Sequence, residues 1–114
     1  VGQGTLALEA RLNDERVRKV LNTIAHKPSI AALRAERSFL IALGGECNMP
    51  MAAYARQQCE NIDMIAMVST PDGSKLFRTK VTSEGEDEMA IGKRAATMLL
   101  EMGAQAITDS PPIW

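Results

Sequence analysis

Ile62-Asp63-Met64-Ile65-Ala66-Met67-Val68-Ser69, then Thr70-Pro71-Asp72-Gly73-Ser74, then Lys75-Leu76-Phe77-Arg78-Thr79-Lys80-Val81-Thr82: the reading of this stretch decides the fold. The outer runs read as two strands bounded by turn residues. The link between them is a turn with a mechanism, because Pro71 presets φ and Gly73 supplies a positive one. The pair is therefore expected to be an antiparallel hairpin.

Working outward, Met51 to Arg56 reads as a further strand, joined to the hairpin through the weaker turn signal Glu60-Asn61. Downstream, Glu86 to Met102 is expected to be a helix. Ile91, Ala95, Met98, Leu99 and Met102 stack on one face, acidic residues cluster at its start, and Gly103 follows its end. Upstream, Ser29 can cap a helix running to about Leu43, with Ile30, Leu33, Leu40 and Leu43 at helical spacing and Phe39 widening the stripe. Gly44-Gly45 terminates it. Glu36 falls on nearly the same face, where a carboxylate must reach the rim or find a cation. From Ser29 onward the order is helix, three antiparallel strands, helix. The fold class is α+β, with two helices covering one face of a small sheet. Residues Ile107 to Trp114, with Pro111-Pro112, read as a tail.

The beginning of the chain does not fit that unit. Thr5 to Leu12 places Leu6, Leu8 and Leu12 on one parity and Glu9 and Arg11 on the other, the pattern of a half-buried strand. Asn13 is a candidate N-cap, Val17, Val20, Leu21 and Ile24 follow one helix face, and Pro28 is expected to stop that helix after His26 and Lys27. A lone strand must find a partner for its backbone groups. The strand and helix of residues 1–26 are therefore read as left from a preceding domain, and residues 27–114 as an α+β domain of their own. The unpaired edge invites pairing with a second copy. The chain opens Val1-Gly2-Gln3-Gly4 without an initiator methionine, which suggests processing or a piece of a longer polypeptide.

The 114 residues carry 13 basic and 14 acidic side chains, and a net charge of −1. No electrostatic footprint for nucleic acid or an anionic membrane follows from that balance. Hydrophobic residues make up 46% of the chain, which excludes wholesale disorder. No apolar run reaches the ~18–20 residues of a membrane helix, and no signal peptide is visible. The two cysteines, Cys47 and Cys59, make no disulfide framework and no zinc spacing, so reduced cytoplasmic thiols are expected. His26 reads as a capping or surface histidine, and Met64, Met67, Met98 and Met102 as core filler. Glu36 and Arg37 read as a structural ion-pair element. Glu84, Glu86, Asp87 and Glu88 read as helix N-terminal charge, not a metal site.

Chemistry concentrates at Leu43-Gly44-Gly45-Glu46-Cys47-Asn48-Met49-Pro50, a cysteine in a glycine-rich loop between a helix and a strand. Such a loop can present an accessible thiol on a rigid platform. It can equally hold a small buried residue beside a turn. Cys59, near a strand end among polar neighbours, reads as incidental.

Three ordered blocks resemble the porphobilinogen deaminase (hydroxymethylbilane synthase) family. Val1-Gly2-Gln3-Gly4-Thr5-Leu6-Ala7-Leu8-Glu9-Ala10-Arg11 is similar to its V-G-Q-G-A-L-x-I-E-x-R segment. Ala35-Glu36-Arg37-Ser38-Phe39-Leu40 is similar to A-E-R-x-F-L, and Leu43 to Pro50 to the cofactor loop L-E-G-G-C-Q-V-P. The match continues through Pro71-Asp72-Gly73 and Gly103-Ala104. Glu46 departs from it, standing where the family has the second glycine before the cysteine.

The resemblance implies a transferase that joins four porphobilinogen molecules head to tail into hydroxymethylbilane, releasing ammonia, in tetrapyrrole and haem biosynthesis. It implies a dipyrromethane cofactor held by a thioether to Cys47, with Gln3 beside the cofactor cleft. A thiolate suits that anchor, and tethering makes each condensation effectively intramolecular. The family has three domains, so residues 1–26 would be a crossover completing the first and the remainder would be the third. Its catalytic aspartate and carboxylate-binding arginines lie in the earlier portion. No catalytic residue is expected in this chain, which alone is expected to be inactive and free of cofactor. The parent is expected to be a cytoplasmic monomer that binds neither nucleic acid nor membrane.

A rival reading is a binding module, since helix, three strands, helix is also the order of double-stranded-RNA-binding domains. Those need a basic face, and Lys93-Arg94 on the last helix is too little for a phosphate clamp. A second rival is a purely structural or interaction piece.

Overall fold

The computed structural model describes residues 1–44 and 50–104. Three strands, β1 (Met51–Gln58), β2 (Asn61–Ser69) and β3 (Leu76–Thr82), form one antiparallel sheet in the order β1-β2-β3. On β2 every second residue, Ile62, Met64, Ala66 and Val68, is buried, and the register sets Ala53 and Ala55 of β1 and Thr79 and Val81 of β3 on the same side. Side chains alternate across a strand, so one sheet face is the core and the other stays open. Helices α2 (Lys27–Ala42) and α3 (Glu88–Leu99) pack on the closed face and against each other. Phe39 and Leu43 of α2 and Ile91 and Leu99 of α3 join the strand residues in one core. The α+β class and the order read from Ser29 onward are borne out.

Both hairpins are fixed locally. Thr70 and Lys75 close the β2–β3 link through Thr70 N–H to Lys75 C=O at 2.9 Å, and Gly73, at φ +74°, donates to Thr70 C=O at 2.9 Å. The carboxylate of Asp72 accepts from the Thr70 hydroxyl (2.7 Å), the Ser74 amide (3.0 Å) and the Ser74 hydroxyl (2.8 Å). The β1–β2 link is tighter, with only Cys59 and Glu60 between the paired Gln58 and Asn61. Cys59 sits there at φ +56°, a region L-residues avoid.

Several boundaries differ from the sequence reading. Asp14, not Asn13, caps α1 (Glu15–Ile24), accepting from Val17 N–H at 3.1 Å. Pro28 does not mark a stop before a Ser29 cap. It lies in the first turn of α2, where its missing N–H is no loss. His26 caps that helix through Nδ1, which accepts from Ser29 N–H at 3.3 Å. Its capping role stands, at the start of α2 rather than the end of α1. α2 ends as read, with Gly44 at φ +71° donating to Ile41 C=O at 2.9 Å.

α3 begins later than expected, because Asp87 caps it by accepting from Ala90 N–H at 2.8 Å. Past Leu99 the chain widens into a π turn, Leu100–Ala104, closed by Gly103 at φ +112°. The buried face of α3 is Ile91, Gly92, Ala95, Ala96 and Leu99, while Met98 and Met102 are exposed. Of the four methionines expected as core filler, Met64 is fully buried and Met67 lies on the open sheet face. Small residues, not methionines, make the contact because α2 and α3 approach closely at Gly92.

The expected strand over Thr5–Leu12 is not formed among the described residues. Leu6 is 94% and Leu12 85% exposed, and α1 has no buried residue. Its alternation is real, but a strand exists only where another backbone takes up its hydrogen bonds.

Candidate functional site

The loop bearing Cys47 has firm anchors on both sides. Upstream, α2 delivers the buried Leu43 and then turns at Gly44. Downstream, Pro50 C=O accepts from Ser69 N–H at 2.9 Å, and Met51 packs against the core as β1 begins. Cys47 and Glu46 themselves lie outside the described residues, as do Gly45 and the tail Ile107 to Trp114. Cys59 is exposed at the opposite end of β1, eight residues of strand distant, which is roughly 26 Å at ~3.3 Å per residue. Cys59 therefore stands at the end of the sheet away from the Pro50–Ser69 anchor.

Gln3 is exposed in a tight bend between Gly2 (φ +72°) and Gly4 (φ +78°), closed by Thr5 N–H to Gly2 C=O at 3.3 Å. The bend rests on α2. A β-carbon on Gly2 would stand 3.2 Å from Leu33 Cδ1, and Gly2 N–H points to Glu36 Oε1 at 3.4 Å. Glu36 lies two turns or so before Gly44, about 12 Å along the axis at ~1.5 Å per residue. The bend that carries Gln3 and the turn at Gly44 thus both take their position from α2.

Glu36 was expected at the rim or in an ion pair with a neighbour such as Arg37. It is 8% exposed instead, and it has no ion-pair partner among the described residues. Burial pushes its carboxyl above the ordinary value, and the Gly2 amide partly offsets this. The contact to Gly2 carried no local sequence signal, since it joins residues 34 apart.

The acidic run is fully engaged. Asp87 is a cap, Glu88 meets Arg34 at 3.2 Å, and Glu84 and Glu86 meet Arg94 at 3.5 and 2.9 Å. Hydrogen bonding from its own and the Glu84 backbone amides holds the Glu86 carboxyl below the usual range. Arg94 also donates to Thr82 C=O, so half of the Lys93-Arg94 pair is a structural cross-link. No helix among the described residues is long and apolar enough to cross a membrane.

The reading of the sequence missed Ser38 and Gly92. Ser38 Oγ donates to Met89 C=O at 2.5 Å, and Gly92 sits against the α2 backbone. The available signal was a run of small residues at helical spacing on both helices: Ala31, Ala35 and Ser38 facing Gly92, Ala95 and Ala96.

Comparison with known proteins bears on this arrangement directly. Residues 30–101 match the family described as "Porphobilinogen deaminase, C-terminal domain". Curated proteins named porphobilinogen deaminase align along nearly the whole chain. The Geobacillus kaustophilus protein is 38% identical over 109 residues, covering 96% of this chain and 35% of that protein. The Pelotomaculum thermopropionicum protein is 40% identical over 107 residues, covering 94% and 34%. The Brevibacillus brevis protein is 42% identical over 105 residues, covering 91% and 33%. The chain therefore spans about a third of the length of these relatives.

Proposed function

The chain belongs to the porphobilinogen deaminase family, and from that premise we propose that it forms the cofactor-anchoring C-terminal part of a transferase. The parent enzyme condenses four porphobilinogen molecules into hydroxymethylbilane with release of ammonia, in the cytoplasm. The observation that carries this reading is the family match over residues 30–101, which runs from α2 through the cysteine loop to α3.

Cys47 is the attachment point, and its thiolate makes the thioether to a dipyrromethane. Thiol chemistry fits that role, and the loop's two anchors supply what a tethered chain needs. α2 and the start of β1 hold the ends while the intervening residues carry the load. When bound, the dipyrromethane supplies the nucleophilic pyrrole carbon to which substrate units are added. Gln3, held on α2 by the Gly2 bend, faces the same cleft as the loop. Glu46 places one more negative charge beside a carboxylate-rich group, so the cations that neutralise it come from outside this loop.

Residues 1–26 are assigned to the preceding domain of the parent, although the Gly2 bend and the His26 cap at their two ends rest on α2. Leu6, Leu8 and Leu12, with Val20 and Ile24 of α1, are mostly exposed apolar side chains that such a domain would cover. The catalytic aspartate and the arginines that bind pyrrole carboxylates lie in the part of the relatives this chain does not span. The 114-residue chain alone is therefore inactive and unloaded.

Two measurements test the reading. Intact mass spectrometry of the chain joined to the remainder of a family enzyme should show a dipyrromethane adduct that disappears in Cys47→Ser. An adduct that persists in Cys47→Ser overturns the assignment. The 114-residue chain incubated with porphobilinogen should give no uroporphyrin absorbance, and turnover there would refute its inactivity.

A further inference from the structure

Of the five aspartates only Asp72 is followed by glycine, and no asparagine is. That pair is open to an internal reaction, because glycine has no Cβ to obstruct an approach to its nitrogen. The Gly73 amide nitrogen attacks the carboxyl carbon of the Asp72 side chain. A C–N bond forms, the amide proton leaves with the hydroxyl of the protonated carboxyl as water, and a cyclic imide results. Water then reopens the ring. Entry at the side-chain carbonyl restores Asp72. Entry at the main-chain carbonyl leaves an isoaspartyl residue, whose backbone runs through the former side chain and is one carbon longer. No reagent besides water takes part.

Burial does not protect this bond. Asp72 and Gly73 are both exposed, and a Cβ built on Gly73 would touch nothing within 4 Å. What opposes the reaction is the turn. Gly73 N–H is committed to the Thr70 carbonyl at 2.9 Å, and its nitrogen can swing onto the carboxyl only by giving up that bond. The other reactant is held as firmly. Asp72 Oδ1 accepts from the Thr70 hydroxyl at 2.7 Å, the Ser74 amide at 3.0 Å and the Ser74 hydroxyl at 2.8 Å. Those donors also keep the carboxyl ionised, lowering it to about 2, whereas departure of water needs the protonated form.

We propose that Asp72-Gly73 is a latent isomerisation site, held unreactive by the folded β2–β3 link with the Thr70 and Ser74 side chains as its guards. The bond reacts from the opened link, so its rate follows local opening of that hairpin and not unfolding of the whole domain. The change is self-sustaining. Isoaspartate moves the carboxylate off its three donors and lengthens the span between Thr70 and Lys75, whose amide–carbonyl bond at 2.9 Å closes the link. Ser69, which anchors Pro50 at the start of β1, immediately precedes Thr70, so a damaged link also strains that anchor. The inference does not depend on the role proposed for Cys47.

The test follows isoaspartate in the 114-residue chain kept for weeks at neutral pH, below its melting temperature. Trypsin releases the bond within the peptide Gln57–Lys75, whose isoaspartyl form has equal mass, separates by chromatography and is identified by electron-transfer fragmentation. A synthetic peptide of the same residues gives the unguarded rate. The folded chain should react about tenfold more slowly than that peptide, or slower still. Thr70→Val and Ser74→Ala each remove a charge-assisted bond to Asp72 and should each speed the reaction about threefold to tenfold. Gly92→Ala, which disturbs the helix seam without touching the link, should stay within about twofold of the parent. Equal rates in the folded chain and the peptide overturn the proposal. So does an acceleration by Gly92→Ala that matches those of the two link variants, or link variants that react no faster than the parent.

Discussion

Gly92 of α3 lies so close to Phe39 of α2 that a β-carbon at position 92 would stand 2.5 Å from the Phe39 nitrogen and 2.7 Å from Ser38 Cβ. It would also press on the Ala35 carbonyl oxygen, which is backbone and cannot swing aside. Gly92→Ala should therefore destabilise the protein by about 2–3 kcal/mol, even after Ala's better helix propensity returns ~1 kcal/mol. Thermal melting should show a drop of roughly 10 °C or more. Lys93→Ala, exposed on the same helix, should stay within ~0.5 kcal/mol of the parent.

Cys59 adopts φ +56° in a two-residue hairpin link, where Gly is the favoured residue at the first central position. Cys59→Gly should stabilise by about 0.5–1 kcal/mol, the relief of left-handed strain less glycine's entropy cost. Urea unfolding should show a higher midpoint at unchanged slope.

Asp72 is exposed, and its three hydrogen bonds, the Thr70 hydroxyl first, lower its carboxyl from 3.8 to about 2. A folded value below the unfolded one means the charged form is favoured by folding. The contribution is complete above the unfolded value and is lost as pH falls through about 2. The stability difference between parent and Asp72→Asn should be constant at neutral pH and shrink across that acid window, as followed by melting at successive pH values.

Glu36 behaves in the opposite sense, because burial raises its folded value above the ordinary 4.5. The folded state then holds the proton more tightly, so this group's contribution falls as pH rises from 4.5 through the raised value. Glu36→Gln should remove that decline, leaving the variant at least as stable as the parent at neutral pH. Denaturant titrations at acid and neutral pH would show it, and a neutral-pH loss comparable to a core deletion would contradict it.

The sheet was legible because its determinants are local. Thr70-Pro71-Asp72-Gly73 names its own turn, and the runs flanking it are bounded by turn residues, although Ile65 and Met67 on the open face hide the alternation of β2. The α3 face was misread because hydrophobicity was counted and size was not: Met98 and Met102 scored as core while Gly92 did the packing. The N-terminal segment was misread for a different reason. Leu6, Leu8 and Leu12 advertise a strand, but alternation cannot say whether another backbone lies alongside. For the candidate site, the cysteine loop was visible as a motif. The bend that seats Gln3 on α2 was not, since Gly2 and Glu36 meet only once the chain has folded back.

The tight contact between α2 and α3 also bears on stiffness. A glycine-mediated seam, with Ser38 bonded across it to the Met89 carbonyl, leaves no compressible layer between the two helices. The pair therefore moves as one body, and the end of α2 at Gly44 takes its position from both helices rather than from its own last turn.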